Sequence, residues 1–538
     1  MVMKPALPLV RLTLLLLMLL VSVPAGAAVP APVLKHDLTI TLRPADRTMV
    51  VRDVIEIPAR LFNGGRLTLE TASFMTDIRP RLVSGGARLS TASRPGPYGL
   101  LWDLSVERPS RSNPIVIEFS YSVVNPRSAQ LAIRPEGSLA GGSGDSWYPQ
   151  LGFPFPDVGR ITLNVPPGET AIASGRRTSS RQQEAAGRFV FAVDSPTKFA
   201  FAAGPYRRHV SPDGRFSFYT LRERPDAQMW LERSAALVAQ LERLYGPPPA
   251  GTPSLVEVDF PSIVLGASEQ GFILADDSQL QSFDTVYWAH EFAHQWWGLM
   301  VRAAPDTPAR TLFTEGLAEF SALMVIEALQ GRGAIAELRA GRFASVPNSP
   351  LDRYSAVAER GGDRSLRDWT PGSGDDNLAM HRLSTSKGAW VLSMLADWVG
   401  RDVVLAGLRR LLRQNAGGSA SWADVERVLS SAAGRDLEWF FAQWLGRPGA
   451  ANLRLEWAPA ANGTGVSGTV VQPGTSYVAE VEIDLVGPEG ATRTEKLRID
   501  GPRTAFRFDP GFAVRRVILD PRFRLFRRPL PSDLRRPS

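Results

Sequence analysis

His290-Glu291-Phe292-Ala293-His294 is the stretch that decides how this chain is read. On a helix, positions i and i+4 lie on one face, so both imidazoles can point at a single metal ion. Glu291 sits beside them and can take a proton from a water at that metal. Two histidines need a third ligand to hold a catalytic zinc, with one position left open. Downstream, Thr314-Glu315-Gly316-Leu317-Ala318-Glu319 opens the next apolar helix. Glu315 and Glu319 fall one turn apart on the same face. One can bind the metal and the other can orient a ligand histidine; spacing alone does not choose between them.

Around this centre the pattern is mixed. Pro225-Asp226 opens a helix, with Asp226 able to cap its free amides. Trp230, Leu231, Leu237, Val238, Leu241, Leu244 and Tyr245 follow at helical spacing, and Gly246 with three prolines stops the run. Residues 255–260 and 271–275 read as strands. Residues 285–299, 315–330, 383–399, 402–414 and 422–444 read as helices. Strands followed by many helices imply an α+β domain with a helical extension over 206–450.

On the N-terminal side, 28–205 reads as an all-β domain. Short apolar runs at 38–42, 114–121 and 160–165 are separated by Gly, Pro, Ser and Asn clusters. On the C-terminal side, 451–538 reads as a β-sandwich domain with a basic tail. There Ala479, Val481, Ile483 and Leu485 alternate with Glu480, Glu482 and Asp484, which implies one buried and one wet face. The fold class is therefore multidomain: all-β, then α+β, then a β-sandwich.

Residues 1–27 combine a basic start (Lys4, Arg11), an apolar run over 12–23 and Ala25-Gly26-Ala27 at the end. This reads as a secretory signal peptide and implies an exported protein, periplasmic or extracellular. The run is shorter than the roughly 20 residues of a membrane-spanning helix, so no transmembrane helix is expected in the mature chain. The absence of cysteine excludes disulfides, thiol catalysis and cysteine metal sites. The formal charge of +7 falls to +5 without Lys4 and Arg11. From residue 501 onward there are ten arginines against three aspartates. Such a tail can make weak contact with an acidic membrane surface, although a solvated basic face is the favoured reading. Nothing resembles a nucleic-acid motif, and no nucleic-acid partner is expected.

The stretch His290-Glu291-Phe292-Ala293-His294-Gln295-Trp296-Trp297-Gly298 resembles the zinc helix of the aminopeptidase N family of gluzincin metallopeptidases. Thr314-Glu315-Gly316-Leu317-Ala318 resembles that family's second zinc segment, which implies that Glu315 is the third ligand. The interval between His294 and Glu315 is two residues longer than the family's usual one, and a loop at residues 303–308 can absorb the insertion. Gly266-Ala267-Ser268-Glu269-Gln270 resembles the family's Gly-x-Met-Glu-Asn segment, with serine in place of methionine and glutamine in place of asparagine. The resemblance implies that Glu269 holds the substrate's free α-amino group. Trp147-Tyr148-Pro149 and the segment from Lys198 to Gly204 are similar to parts of the family's N-terminal β domain. The resemblance makes the middle domain thermolysin-like.

One departure concerns catalysis. The family usually carries an oxyanion-stabilising tyrosine two residues before Lys-Gly, and here Thr385 precedes Lys387-Gly388. Threonine is shorter, and His381 on the preceding stretch is the candidate replacement, ahead of Tyr354 and Tyr287. The resulting expectation is a zinc aminopeptidase with one Zn2+ per chain. His290, His294 and Glu315 are its ligands, Glu319 supports a ligand histidine, Glu291 and His381 are catalytic, and Glu269 binds peptides with a free N-terminus. The alternatives are a zinc endopeptidase, or a degenerate peptide-binding envelope protein that has lost turnover along with the tyrosine.

Overall fold

The structure, a computed structural model, describes residues 32–530 apart from 98, 127, 129, 143–145, 153–154, 260–266, 340–349, 371–374, 461–463 and 529. Residues 1–27, read above as a leader, Gly266 and the end of the basic tail lie outside the described residues.

Period-two patterning builds the N-terminal part. The strand Leu34–Arg43 buries every second residue from Leu34 to Leu42, and Ile115–Val124 does the same from Ile115 to Val123. Both belong to a seven-stranded sheet in which Leu34–Arg43 pairs parallel with Asp157–Asn164 and antiparallel with Thr48–Ile57. A separate four-stranded sheet contains Phe201–Gly204. The next strand, Arg207–Val210, already belongs to another sheet.

That sheet is the floor of the middle part. Its spatial order is Arg207–Val210, Ser217–Thr220, Ser254–Val258, Phe272–Asp276 and Ala267–Glu269. The short strand Ala267–Glu269 therefore forms an edge, antiparallel to Phe272–Asp276. The helices Ala227–Tyr245, Thr285–Ala293 and Leu317–Gln330 join this sheet through one core that includes Trp230, Trp288, Phe292, Trp296 and Trp297. After the helices come two three-stranded sheets. One holds Arg454–Pro459, Val466–Val471 and Arg503–Phe508; the other holds Thr492–Ile499, Ala479–Val486 and Arg516–Leu519. Among the described residues, no helix is long and apolar enough to cross a membrane.

Several elements differ from their sequence patterns, for identifiable reasons. The helix expected over 285–299 ends at Ala293, because the chain turns at Gly298 (φ +113), whose N–H donates to Val301 O at 2.9 Å. The helix expected from 315 starts in a π turn, Leu312–Gly316, and is regular only from Leu317. Residues 383–399 likewise pass through a π turn, Ser384–Gly388, between the helices Asp375–Leu383 and Ala389–Val399. Residues 422–444 form two helices, separated at left-handed Gly434. Asp226 does not cap amides; its carboxylate accepts from Trp230 Nε1 at 2.8 Å instead. Glu482, expected on a wet face, is buried and held by Arg522 and Arg524 at 3.2 and 3.0 Å. Paired arginines make that burial tolerable.

The two π turns carry Glu315 and Thr385, and π turns recur at functional sites because they re-aim side chains within a helix. Their mutual approach depends on missing side chains. A Cβ on Gly388 would lie 2.5 Å from Leu312 Cδ1, and one on Gly316 would lie 2.8 Å from it. Gly388→Ala should therefore overpack this contact and cost about 1–3 kcal/mol, lowering the thermal unfolding midpoint. Gly333→Ala, where a Cβ meets nothing within 4 Å, is the control expected to leave the midpoint unchanged or raised.

Candidate metal centre

The helix Thr285–Ala293 starts at Asp284, whose carboxylate accepts from the amides of Val286 and Tyr287. This cap sets the helix end from which the site is counted. His290 and His294 then lie one turn apart, and their Nε2 atoms face each other at 3.1 Å. Glu315 brings Oε2 to 3.3 Å from His290 Nε2 and 3.7 Å from His294 Nε2. One donor atom from each of these three residues lies within 4.8 Å of the other two. Spacing in sequence left Glu315 and Glu319 interchangeable; the fold separates them. Glu319 lies on the far side of His290, with Oε2 2.9 Å from Nδ1.

Both histidines have acceptors at Nδ1: Glu319 for His290, and the Trp297 carbonyl, 3.0 Å away, for His294. In the neutral form that can ligate a metal, each Nδ1 therefore keeps its proton as a donor, which leaves two Nε2 lone pairs pointing at each other. Facing lone pairs repel unless a cation lies between them. Tetrahedral zinc with bonds of about 2.0–2.1 Å to nitrogen holds two such atoms about 3.3 Å apart, so the donor set fits. The surrounding charges point the same way. Burial disfavours a charged His290, yet hydrogen bonds with Glu315 and Glu319 push its pKa up to about 10. Burial likewise opposes ionisation of Glu315, but His294, His290 and His381 hold it well below the usual carboxylate range. For Glu319, Arg353 and His290 outweigh burial and bring the pKa down to about 2. Arg353 was not singled out by the sequence. Its guanidinium donates to Glu319 Oε1 at 2.6 Å and to the Thr385 carbonyl at 3.2 Å, tying the helix Leu317–Gln330 to the π turn Ser384–Gly388.

The other expected residues are also placed. Glu291 is buried, and its Oε2 accepts from Ser268 Oγ at 2.8 Å. Glu269, on the edge strand, is buried and accepts from the Gly142 amide at 2.8 Å. Burial, only partly offset by that amide, raises the Glu269 pKa to about 7. Gly142 belongs to the N-terminal part, and a Cβ there would lie 2.6 Å from Glu269 Oε2. The segments around Trp147 and Lys198 support it. Trp147 Nε1 donates to Gly141 O and Phe199 O, and Tyr148 stacks on Phe199 at 5.1 Å.

Thr385 is buried and its hydroxyl donates to the His381 carbonyl at 3.1 Å, so it is engaged by its own helix. His381 is half exposed with Nδ1 3.3 Å from Glu315 Oε2, at the rim of the cluster. Tyr354 is turned away and donates to Asp363 at 2.6 Å, while the Tyr287 hydroxyl accepts from Gln279. Three of the five histidines thus meet here.

Gln295 is fully buried and clamps helix to strand. Its Nε2 donates to Glu269 O at 2.9 Å, and its Oε1 accepts from the Gly271 amide at 3.0 Å.

The middle part thus combines an edge strand, an HExxH helix and a glutamate from the following π turn around one cluster. Residues 267–444 match the peptidase family M1 domain. Over 215 residues it is 26% identical to "Probable aminopeptidase 1" of Sulfurisphaera tokodaii, which covers 37% of this chain and 26% of that relative. Its fold is similar to that of Legionella pneumophila aminopeptidase A, solved in complex with aspartic acid. That match has a TM-score of 0.63 and 17% identity, and it covers 91% of this chain and 58% of the other. The chain thus spans about a quarter of the curated relative and somewhat over half of the solved structure. The multidomain architecture, β-rich then mixed then β-sheeted, is similar to that of the matched part of the solved structure.

Gln295→Leu removes the clamp and leaves two inward backbone groups unpaired, each costing about 1–3 kcal/mol. Thermal unfolding should show a drop, with Gln295→Glu intermediate because it can still accept from Gly271.

Proposed function

We propose that the chain is a zinc-dependent aminopeptidase that releases N-terminal residues from peptides. The observation that carries this reading is the convergence of His290 Nε2, His294 Nε2 and Glu315 Oε2, with Glu291 and Glu269 on either side of the same strand–helix junction. His290, His294 and Glu315 would hold the zinc. When bound, that ion supplies Lewis-acid chemistry, polarising the scissile carbonyl and acidifying water.

The protein's own groups do the rest. Glu319 fixes the tautomer and ring plane of His290, and Arg353 neutralises Glu319 so that it stays ionised while buried. Glu291 takes a proton from the attacking water and passes it to the leaving amine. Glu269 pairs with the substrate ammonium and so places the first peptide bond at the site. His381 is the donor for the developing oxyanion, since Thr385 is committed to its own backbone. The reading includes export of the mature chain, in line with the leader-like first 27 residues.

Two measurements test this. A peptide with a free N-terminus should be cleaved and its acetylated copy should not. The Glu269 carboxyl, raised to about 7, must ionise to bind an ammonium. Hence kcat/KM should rise with pH through about 7 and fall again as the peptide amine, with a pKa near about 8, loses its proton. Glu269→Gln should abolish the rising limb and lower kcat/KM by roughly 10–100-fold. Equal cleavage of the acetylated peptide would instead identify an endopeptidase.

The second concerns the missing tyrosine. His381→Ala should lower kcat by about 10²-fold, the usual effect of losing one oxyanion donor, with metal content unchanged. An unaltered kcat would remove His381 from the mechanism. Failure of the wild type to cut either peptide while holding zinc would favour a peptide-binding role.

A further inference from the structure

Ser268 stands on the edge strand Ala267–Glu269, at the position where the sequence departs from the methionine of the family segment it resembles. Its Oγ lies 2.8 Å from Glu291 Oε2 and 2.9 Å from the Glu291 carbonyl. A serine hydroxyl has one proton. An ionised carboxylate is the stronger acceptor of the two, so the proton goes to Oε2. Were it to go to the carbonyl, an oxygen lone pair would face the carboxylate. Among the described residues, Ser268 is the side chain that hydrogen-bonds the Glu291 carboxylate.

The strand bearing Ser268 is itself held rigidly. It pairs with Phe272–Asp276, and Gln295 ties its last carbonyl to the helix that carries Glu291. Neighbouring side chains on a strand point to opposite faces. Ser268 accordingly meets the helix and Glu291, while Glu269 meets Gly142 of the N-terminal part. One dipeptide thus sets both the orientation of the carboxylate and the place of the residue assigned to the substrate's amine.

We propose that Ser268 is a positioning residue for the reaction, holding the Glu291 carboxylate in one rotamer beside the metal-binding cluster. This rests on the reading of Glu291 as the base. The hydroxyl keeps one oxygen of Glu291 engaged, which leaves the other free to receive the water proton. Because Ser268 touches Glu291 and no substrate atom is assigned to it, its removal acts on the chemical step rather than on binding.

The test compares wild type, Ser268→Ala, Ser268→Thr and Glu291→Gln, all as the full mature chain loaded with zinc, on one free-amine peptide. Ser268→Ala should lower kcat by about 10- to 100-fold, the effect of losing a hydrogen bond to a charged group. KM should stay within about twofold and metal content should stay at the wild-type level. Ser268→Thr keeps the hydroxyl and suits a strand, so it should recover most of the rate. An unchanged kcat in Ser268→Ala, or a KM rise equal to the loss in kcat/KM, would overturn the proposal. Crystal structures of wild type and Ser268→Ala supply a readout that does not depend on turnover. Glu291 should occupy one rotamer in the first and several in the second; one shared rotamer also overturns the proposal. If Glu291→Gln retains full activity, the base assignment falls, and the rotamer comparison still decides what Ser268 does.

Discussion

Two imidazole nitrogens bearing lone pairs do not come to rest 3.1 Å apart without something to hold them there. In this protein the means are visible on the outer side of each ring. Glu319 accepts a hydrogen bond from Nδ1 of His290, and the Trp297 carbonyl accepts one from Nδ1 of His294. Each acceptor is positioned by a distinct structural event. Glu319 is ionised and buried because Arg353 reaches it from another helix. The Trp297 carbonyl turns back because the helix stops at Ala293 and Gly298 takes a positive φ. Much of the middle domain's local irregularity serves this one constraint, and the two π turns are its clearest expression.

The electrostatics follow from the same geometry. Two carboxylates, Glu315 and Glu319, within reach of buried His290 make the pocket favourable to positive charge. Glu269 differs. It has one backbone amide for company and little solvent, so its carboxyl sits near neutrality. A carboxylate so placed gains most from an incoming ammonium, since the partner supplies the solvation that burial removed. The two kinds of acid, one group tightly paired and the other poorly paired, stand on neighbouring elements yet suit opposite tasks.

The N-terminal part is joined to this site by a contact with no side chain on one partner. Gly142 approaches Glu269 so closely that a methyl group would collide. The packing of Trp147, Tyr148 and Phe199 carries that backbone to its place. The β domain thereby contributes a backbone amide to the site.

Periodicity and motif spacing made much of this legible. The order of all-β, mixed and β-sandwich parts follows from patterns of two and of three to four residues, which depend on local geometry alone. The donor set was legible because i and i+4 on a helix share a face whatever surrounds them. What local patterns could not reach lies across the chain. Glu315 and Glu319 are equivalent by spacing, and only the crossing of two helices decides which faces Nε2 and which faces Nδ1. Glu482 obeys the alternation of a wet face and is nevertheless buried, because Arg522 and Arg524 return over it from the end of the chain. Gly142 and Arg353 carry no signal in sequence, since a glycine or an arginine is ordinary anywhere, while Ser268 and Gln295 fall inside the quoted motifs but their bonding partners do not follow from them. The sequence by itself determined the order of the parts and the kinds of atom available to a metal. Only the tertiary structure decided which atoms face one another, because hydrogen-bond direction and burial belong to pairs of residues distant along the chain.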